Sequence, residues 1–102
     1  MNKVIRDGKV AVLYSPGFGA GWSTWNNQEE LVFHPTIVHM VESNERHKIT
    51  KEFMDDLGYP QVYCGGAEDL TIAWLPEGSR FTIEEYDGSE SIRTVENLTY
   101  IA

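Results

Sequence analysis

The apolar positions of this chain fall into three textures, and each predicts a different element. Lys3-Val-Ile-Arg6 and Lys9-Val-Ala-Val-Leu-Tyr14 are two short strand-like runs separated by Asp7-Gly8, a pair suited to a two-residue hairpin turn. The second run is apolar almost throughout, which predicts burial on both faces and a central place in its sheet. From Asn26 to Leu57 the texture is helical. Residues 26–33 support no single assignment, since Asn26 to Glu30 offer caps and acids while Leu31-Val-Phe33 suits a strand or a helical turn. Pro35 suits a first helical turn and leads Ile37, Val38 and Val41 at helical spacing through Glu42. A second helix is expected over Arg46 to Leu57, with Ile49, Phe53, Met54 and Leu57 on one face. Gly58 stands at its C-terminal cap and Pro60 blocks continuation.

The remainder reads as a meander of strands, Gln61–Cys64, Leu70–Leu75, Arg80–Tyr86 and Ser91–Val95. Phe81, Ile83 and Glu85 alternate with Thr82, Glu84 and Tyr86, so one face of that strand is expected to be wet. The sum is an α+β fold, a mostly antiparallel sheet of about five or six strands with two helices packed on one face. It forms a single domain over residues 1–102, without repeats or linkers.

Composition narrows the partners. Among 102 residues, sixteen acidic and eight basic side chains leave a formal net charge of −8, which argues against a nucleic-acid polymer or an anionic membrane surface as the main partner. A small anionic ligand stays compatible, because a nest of backbone amides or one well-placed arginine outweighs the long-range field at contact distance. The single cysteine, Cys64, forms no internal disulfide, and Met1 to Asp7 is polar with only a short apolar run beyond it. A cytoplasmic protein is expected.

The densest chemistry lies at the end of the second strand, in Tyr14-Ser-Pro-Gly-Phe-Gly-Ala-Gly-Trp-Ser-Thr-Trp-Asn26. Gly17, Gly19 and Gly21 permit positive φ or close approach of a second group. Exposed amides would hold phosphate oxygens, and flat indoles would stack on a base. On this reading Tyr14, Trp22 and Trp25 stack, the amides from Gly17 to Ser23 hold the anion, and Ser15, Ser23, Thr24 and Asn26 read polar edges. Arg80 supplies positive charge, and Asp87 and Ser89 accept hydrogen bonds from base or ribose. The alternative is that the glycines make a crowded turn and the tryptophans are core. The loop fits neither well-known phosphate fingerprint: no lysine follows Gly21, and Trp22 stands where a third dinucleotide-binding glycine would be.

Other constellations are thinner. His34, His39 and His47 have spacings that share no helical face, so no metal is expected. Cys64 before Gly65-Gly66 suits a nucleophile in a turn, yet no base is placed beside it, and a small buried apolar group is the plainer reading. Asp87 and Glu90, after Glu84 and Glu85, are either paired carboxylates or an ordinary solvated hairpin tip. Arg46, Lys48 and Lys51 read as the wet face of the second helix, whereas Arg80 and Arg93 are better placed to meet an anion at the sheet, the plainer reading being cross-strand pairing with Glu84 or Glu90.

The strings around Val10–Asn26, Tyr-Cys-Gly-Gly-Ala-Glu-Asp-Leu and Phe-Thr-Ile-Glu-Glu-Tyr-Asp-Gly-Ser-Glu-Ser resemble a family of small proteins of bacteriophages and bacteria, along most of the chain. In size and site chemistry the chain is similar to phage anti-defence sponges, which bind cyclic oligonucleotide or ADP-ribose-derived signals of bacterial immune systems. That likeness implies a non-catalytic nucleotide binder without a cofactor, acting as a homo-oligomer in which two protomers share a ligand. The alternatives are a small hydrolase of the same signal, using Asp69, Asp87 or Glu90, and an acidic inhibitor that masks a basic host protein.

Overall fold

The computed structural model describes residues 2–17, 21–26 and 28–94. Five strands and four short helices follow in the order β1 (Ile5–Arg6), β2 (Lys9–Tyr14), α1 (Ser23–Asn26), α2 (Glu29–Phe33), α3 (Pro35–Glu42), α4 (Lys51–Leu57), β3 (Thr71–Pro76), β4 (Phe81–Tyr86) and β5 (Ser89–Thr94). Two 3-10 turns, Arg46–Lys48 and Ala67–Asp69, precede α4 and β3 respectively. The chain is α+β with antiparallel pairing, as expected.

The first hairpin turns on Asp7 and Gly8, whose φ values of 51 and 74° are those of a two-residue loop that matches strand twist. In the three-stranded sheet β1-β2-β3, β2 is central. Its register against β3 runs from Lys9↔Pro76 to Tyr14↔Thr71. Val10, Ala11, Val12 and Leu13 are all buried, because each face of β2 meets a different layer. Ala11 and Leu13 join Trp22, Leu31, Ile37, Val38, Met54 and Leu70 in the main core. Val10 and Val12 join Phe33, Ala73, Leu75, Phe81, Ile83 and Ile92 in a smaller core on the opposite face.

That second core corrects the single five- or six-stranded sheet. The described strands form two sheets, of three and two strands, with β4 and β5 a separate hairpin. The continuous meander breaks after Pro76, where Gly78 has φ +84°. Adding β4 to the edge of β3 would leave Val10, Val12, Ala73 and Leu75 facing water. Folding the hairpin across the sheet instead buries that face against Phe81, Ile83 and Ile92.

The expected strand at Gln61–Cys64 is also absent, and the reason is local. Both backbone groups of Tyr63 are satisfied by the side chain of Asn26: Tyr63 N donates to Asn26 Oδ1 at 2.7 Å, and Asn26 Nδ2 donates to Tyr63 O at 3.0 Å. One amide side chain does the work of a neighbouring strand.

The helical signals hold with one change. Pro35 opens α3, and Gly58 caps α4 in the left-handed region at φ 106°. The helix expected to start at Arg46 starts at Lys51, because Thr50 is extended and its hydroxyl accepts from Phe53 N at 3.2 Å. Residues 26–33, unassigned from sequence, supply the end of α1 and the whole of α2. Tyr59, just after α4, donates to the Glu30 carboxylate of α2; burial first and then Glu30 push its phenol up to about 12. The expected final strand reached Val95, which lies outside the described residues.

Candidate functional site

β2 delivers the chain into the glycine loop, and Ser15 at its exit is fully buried. Amides flanking this loop surround an anion, and it is the protein's own carboxylate; of the amides expected from Gly17 to Ser23, only that of Ser23 takes part among the described residues. Glu90, on β5 and only 1% exposed, accepts from Ser15 N at 2.8 Å and Ser23 N at 3.3 Å through Oε1. Through Oε2 it accepts from Thr24 N and Thr24 Oγ1, both at 2.7 Å. Its own backbone N donates to Ser15 O at 2.8 Å. The acid read as a hairpin-tip side chain is thus the N-terminal cap of α1 and the peg that fastens β4–β5 to the loop.

Most of the expected ligand-binding side chains are engaged within the protein. Ser15 Oγ donates to Gly66 O, and Ser23 Oγ to Leu13 O, each at 2.8 Å. Thr24 is spent on Glu90, and Asn26 on Tyr63 and on Trp22 O. Ser89 Oγ donates to Pro16 O at 2.7 Å, while Asp87 occupies the exposed turn with φ 49°. Tyr14 ends β2 half-buried, opposite Thr71. Arg80 precedes β4 at the end of the hairpin remote from Glu90. Five residues of extended chain, about 17 Å, separate it along the hairpin from Glu85, the residue paired with Glu90.

The two indoles part company. Trp22 is 0% exposed and donates from Nε1 to Leu31 O at 3.1 Å, so its faces belong to the core. Trp25, three residues on, is 44% exposed and packs on Tyr63, itself 50% exposed, with ring centroids 5.3 Å apart and planes tilted by 35°. Gly21 is required beneath it, since a Cβ there would lie 2.8 Å from Trp25 Cδ1. Gly17 answers a different crowding: its added Cβ would stand 2.0 Å from Asp69 Oδ2. Gly19 lies outside the described residues.

The open space is next to the loop. The main cleft, of about 550 Å3, is lined by Asn44, Arg46, His47, Cys64, Gly65 and Glu68, among others. A second hollow of about 400 Å3 is lined by Pro16, Gly17, Arg46, Glu68 and Asp69. Arg46 and Glu68 belong to both. Tyr63 joins the cleft to the aromatic pair, because its phenol lies against the α-carbon of Gly65, where a Cβ would be 2.8 Å from the hydroxyl oxygen. Cys64 also lines the cleft; burial, reinforced by Asp55, pushes its thiol up from the ordinary value and keeps it in the weakly nucleophilic form.

Arg46 and Tyr63 are the residues that sequence reasoning passed over. Arg46 looked like a solvated helix charge, and Tyr63 like an ordinary strand residue. Neither carries a local signal, because each is positioned by a contact from another part of the chain. Among the described residues no three His, Cys, Asp or Glu side chains converge as metal ligands. No helix among them is long and apolar enough to cross a membrane. No protein-family model, curated protein or solved structure matches this chain.

Proposed function

We propose that the chain is a non-catalytic binder of a small anionic ligand with a planar ring, of the nucleotide class. Its role is to sequester a nucleotide signal of bacterial immunity, a cyclic oligonucleotide or an ADP-ribose derivative, and so to block anti-phage defence. The observation that carries the binding is the Trp25–Tyr63 pair, two half-exposed rings in mutual contact, with the Tyr63 phenol against Gly65, which lines the main cleft. Asn26 holds the backbone of Tyr63, and Gly21 makes room for Trp25, so the platform is ordered before a ligand arrives. Stacking a base on such a platform contributes about 1–3 kcal/mol.

Sequestration is favoured over hydrolysis by the state of Glu90, one of the three candidate acids, and of Cys64. Glu90 is engaged on both oxygens and closed off from solvent, and the Cys64 thiol is held protonated. The immune-signal assignment follows the likeness in size and site chemistry to phage anti-defence sponges.

The test is a tryptophan-fluorescence and thermal-shift titration of the full chain with adenosine, cyclic dinucleotides and ADP-ribose, followed by heat release and mass analysis of the ligand. Saturable binding, recovery of unchanged ligand and loss of binding in a folded Trp25→Ala variant are expected. Undiminished binding by Trp25→Ala refutes the platform. Recovery of an altered ligand replaces the sponge by the hydrolase.

A further inference from the structure

We infer that Arg46 receives a phosphate of the ligand, and that Glu68 and Asp69 around it disfavour a chain of consecutive phosphates, which selects the cyclic oligonucleotide over the ADP-ribose derivative. The inference rests on the ring-stacking reading above and adds its charge specificity.

The argument begins with how Arg46 is held. It is half-buried in the 3-10 turn Arg46–Lys48, where Nε donates to Leu70 O at 2.7 Å and Nη1 to Asn44 Oδ1 at 3.0 Å. Both acceptors are neutral. By contrast, Arg6, Lys48 and Arg93 are each paired with a carboxylate, on Glu42, Glu45 and Glu84. Arg46 makes no ion pair with any described acid, although the chain carries sixteen acidic residues against eight basic ones. A guanidinium with five N–H donors, two of them fixed on neutral oxygens, keeps its charge and three donors for whatever occupies the hollows it lines. Its planar fork matches two oxygens of a phosphate, and the anchoring has already removed much of the side chain's freedom.

The surroundings set the limit on charge. Glu68 lines both hollows with Arg46, and Asp69 lines the smaller one beside Gly17. A first phosphate meets the guanidinium, with His47 adjoining it in the main cleft. A second and third joined to it would occupy hollows that Glu68 and Asp69 also line, where like charges repel at reduced dielectric. The main cleft, of about 550 Å3, has room for one nucleotide unit of such a ligand.

The experiment titrates the full chain with adenosine, AMP and ATP at low and at physiological salt, using tryptophan fluorescence, and compares Arg46→Gln, Glu68→Gln and Trp25→Ala. AMP is expected to bind at least about tenfold tighter than adenosine and than ATP, with the ATP penalty shrinking as salt rises. Arg46→Gln should bring AMP down to the affinity of adenosine while leaving adenosine unchanged, and Glu68→Gln should narrow the gap between AMP and ATP severalfold. Binding of AMP by Arg46→Gln as tightly as by the unaltered chain overturns the inference, as does ATP binding that equals or exceeds AMP. If Arg46→Gln fails to fold, the exposed Glu68→Gln decides by itself: an unchanged AMP-to-ATP ratio overturns the charge limit. Adenosine binding abolished by Trp25→Ala, with Arg46→Gln indifferent to phosphate, removes this inference and leaves the stacking platform standing. No response to any of the three probes at millimolar concentration removes both.

Discussion

Truncating Glu90 to Ala tests whether the glycine loop is a filled cradle. The substitution strands Ser15 N–H and Ser23 N–H, both on buried residues, at about 1–3 kcal/mol each. It also frees Thr24 N–H and its hydroxyl, which are only part-buried and recover more of their hydrogen bonding from water. Against this stands the relief of no longer desolvating a carboxylate. Removal of one side of a buried charged contact, in which both effects are included, costs about 3–5 kcal/mol. That is a large share of the about 5–15 kcal/mol that stabilises a typical domain, and corresponds to a melting point lower by roughly 15–30 °C.

Glu90→Gln should cost less, about 1–3 kcal/mol, because the amide oxygen can stay on Ser15 and Ser23 while its NH2 turns toward Thr24. There the hydroxyl can accept in place of donating, and one backbone N–H is left facing a donor. Urea denaturation followed by far-ultraviolet circular dichroism measures both variants. A Glu90→Ala protein within about 1 kcal/mol of the unaltered chain, or a Glu90→Gln variant less stable than Glu90→Ala, would refute the peg.

Three further outcomes are expected. Trp22→Ala should lose about 3–5 kcal/mol, since it empties a fully buried site and orphans Leu31 O, whereas Trp25→Ala should stay within about 1 kcal/mol; equal melting points for the two would contradict their assignment to core and surface. His34 Nδ1 accepts from Thr36 N at 3.2 Å at the start of α3, and burial, only partly offset by Glu30, holds its pKa below the ordinary value of 6.5. The stability it confers is therefore present above pH 6.5 and lost as pH falls through the lowered folded value, when the protonated ring can no longer accept. A His34→Asn variant should keep the cap and lose that part of the pH dependence, read as melting temperature between neutral and mildly acidic pH. Gly17→Ala should cost about 1–3 kcal/mol through its collision with Asp69, and Asp69→Ala in the same chain should recover most of the loss; additive losses in the double variant would rule out that contact as the cause.

The period of the hydrophobic pattern carried the elements that depend on near neighbours. The unbroken apolar run of β2 foretold burial on both faces, Asp7-Gly8 foretold its turn, and Pro35 and Gly58 marked a helix start and a helix end because φ preferences act within a residue or two. The strands of the hairpin were legible too, but not that they would leave the sheet edge and fold across its face. That choice belongs to the apolar area of β2 and β3 on the face opposite the main core, where of the described helices only α2 reaches, through Val32 and Phe33. The site was the least legible part. Trp22 and Trp25 sit in one stretch with similar neighbours, yet one is core and the other surface, because α1 turns one indole toward Leu31 and the other toward Tyr63. An acid in a polar turn reads the same whether water or three distant amides surround it, so nothing around Glu90 announced Ser15, Ser23 and Thr24, all more than sixty residues away in the chain. Arg46 was likewise fixed by Leu70, far along the sequence. Hydrogen bonds between a side chain and remote backbone have no period and no fixed spacing, so only the folded chain decides where they form.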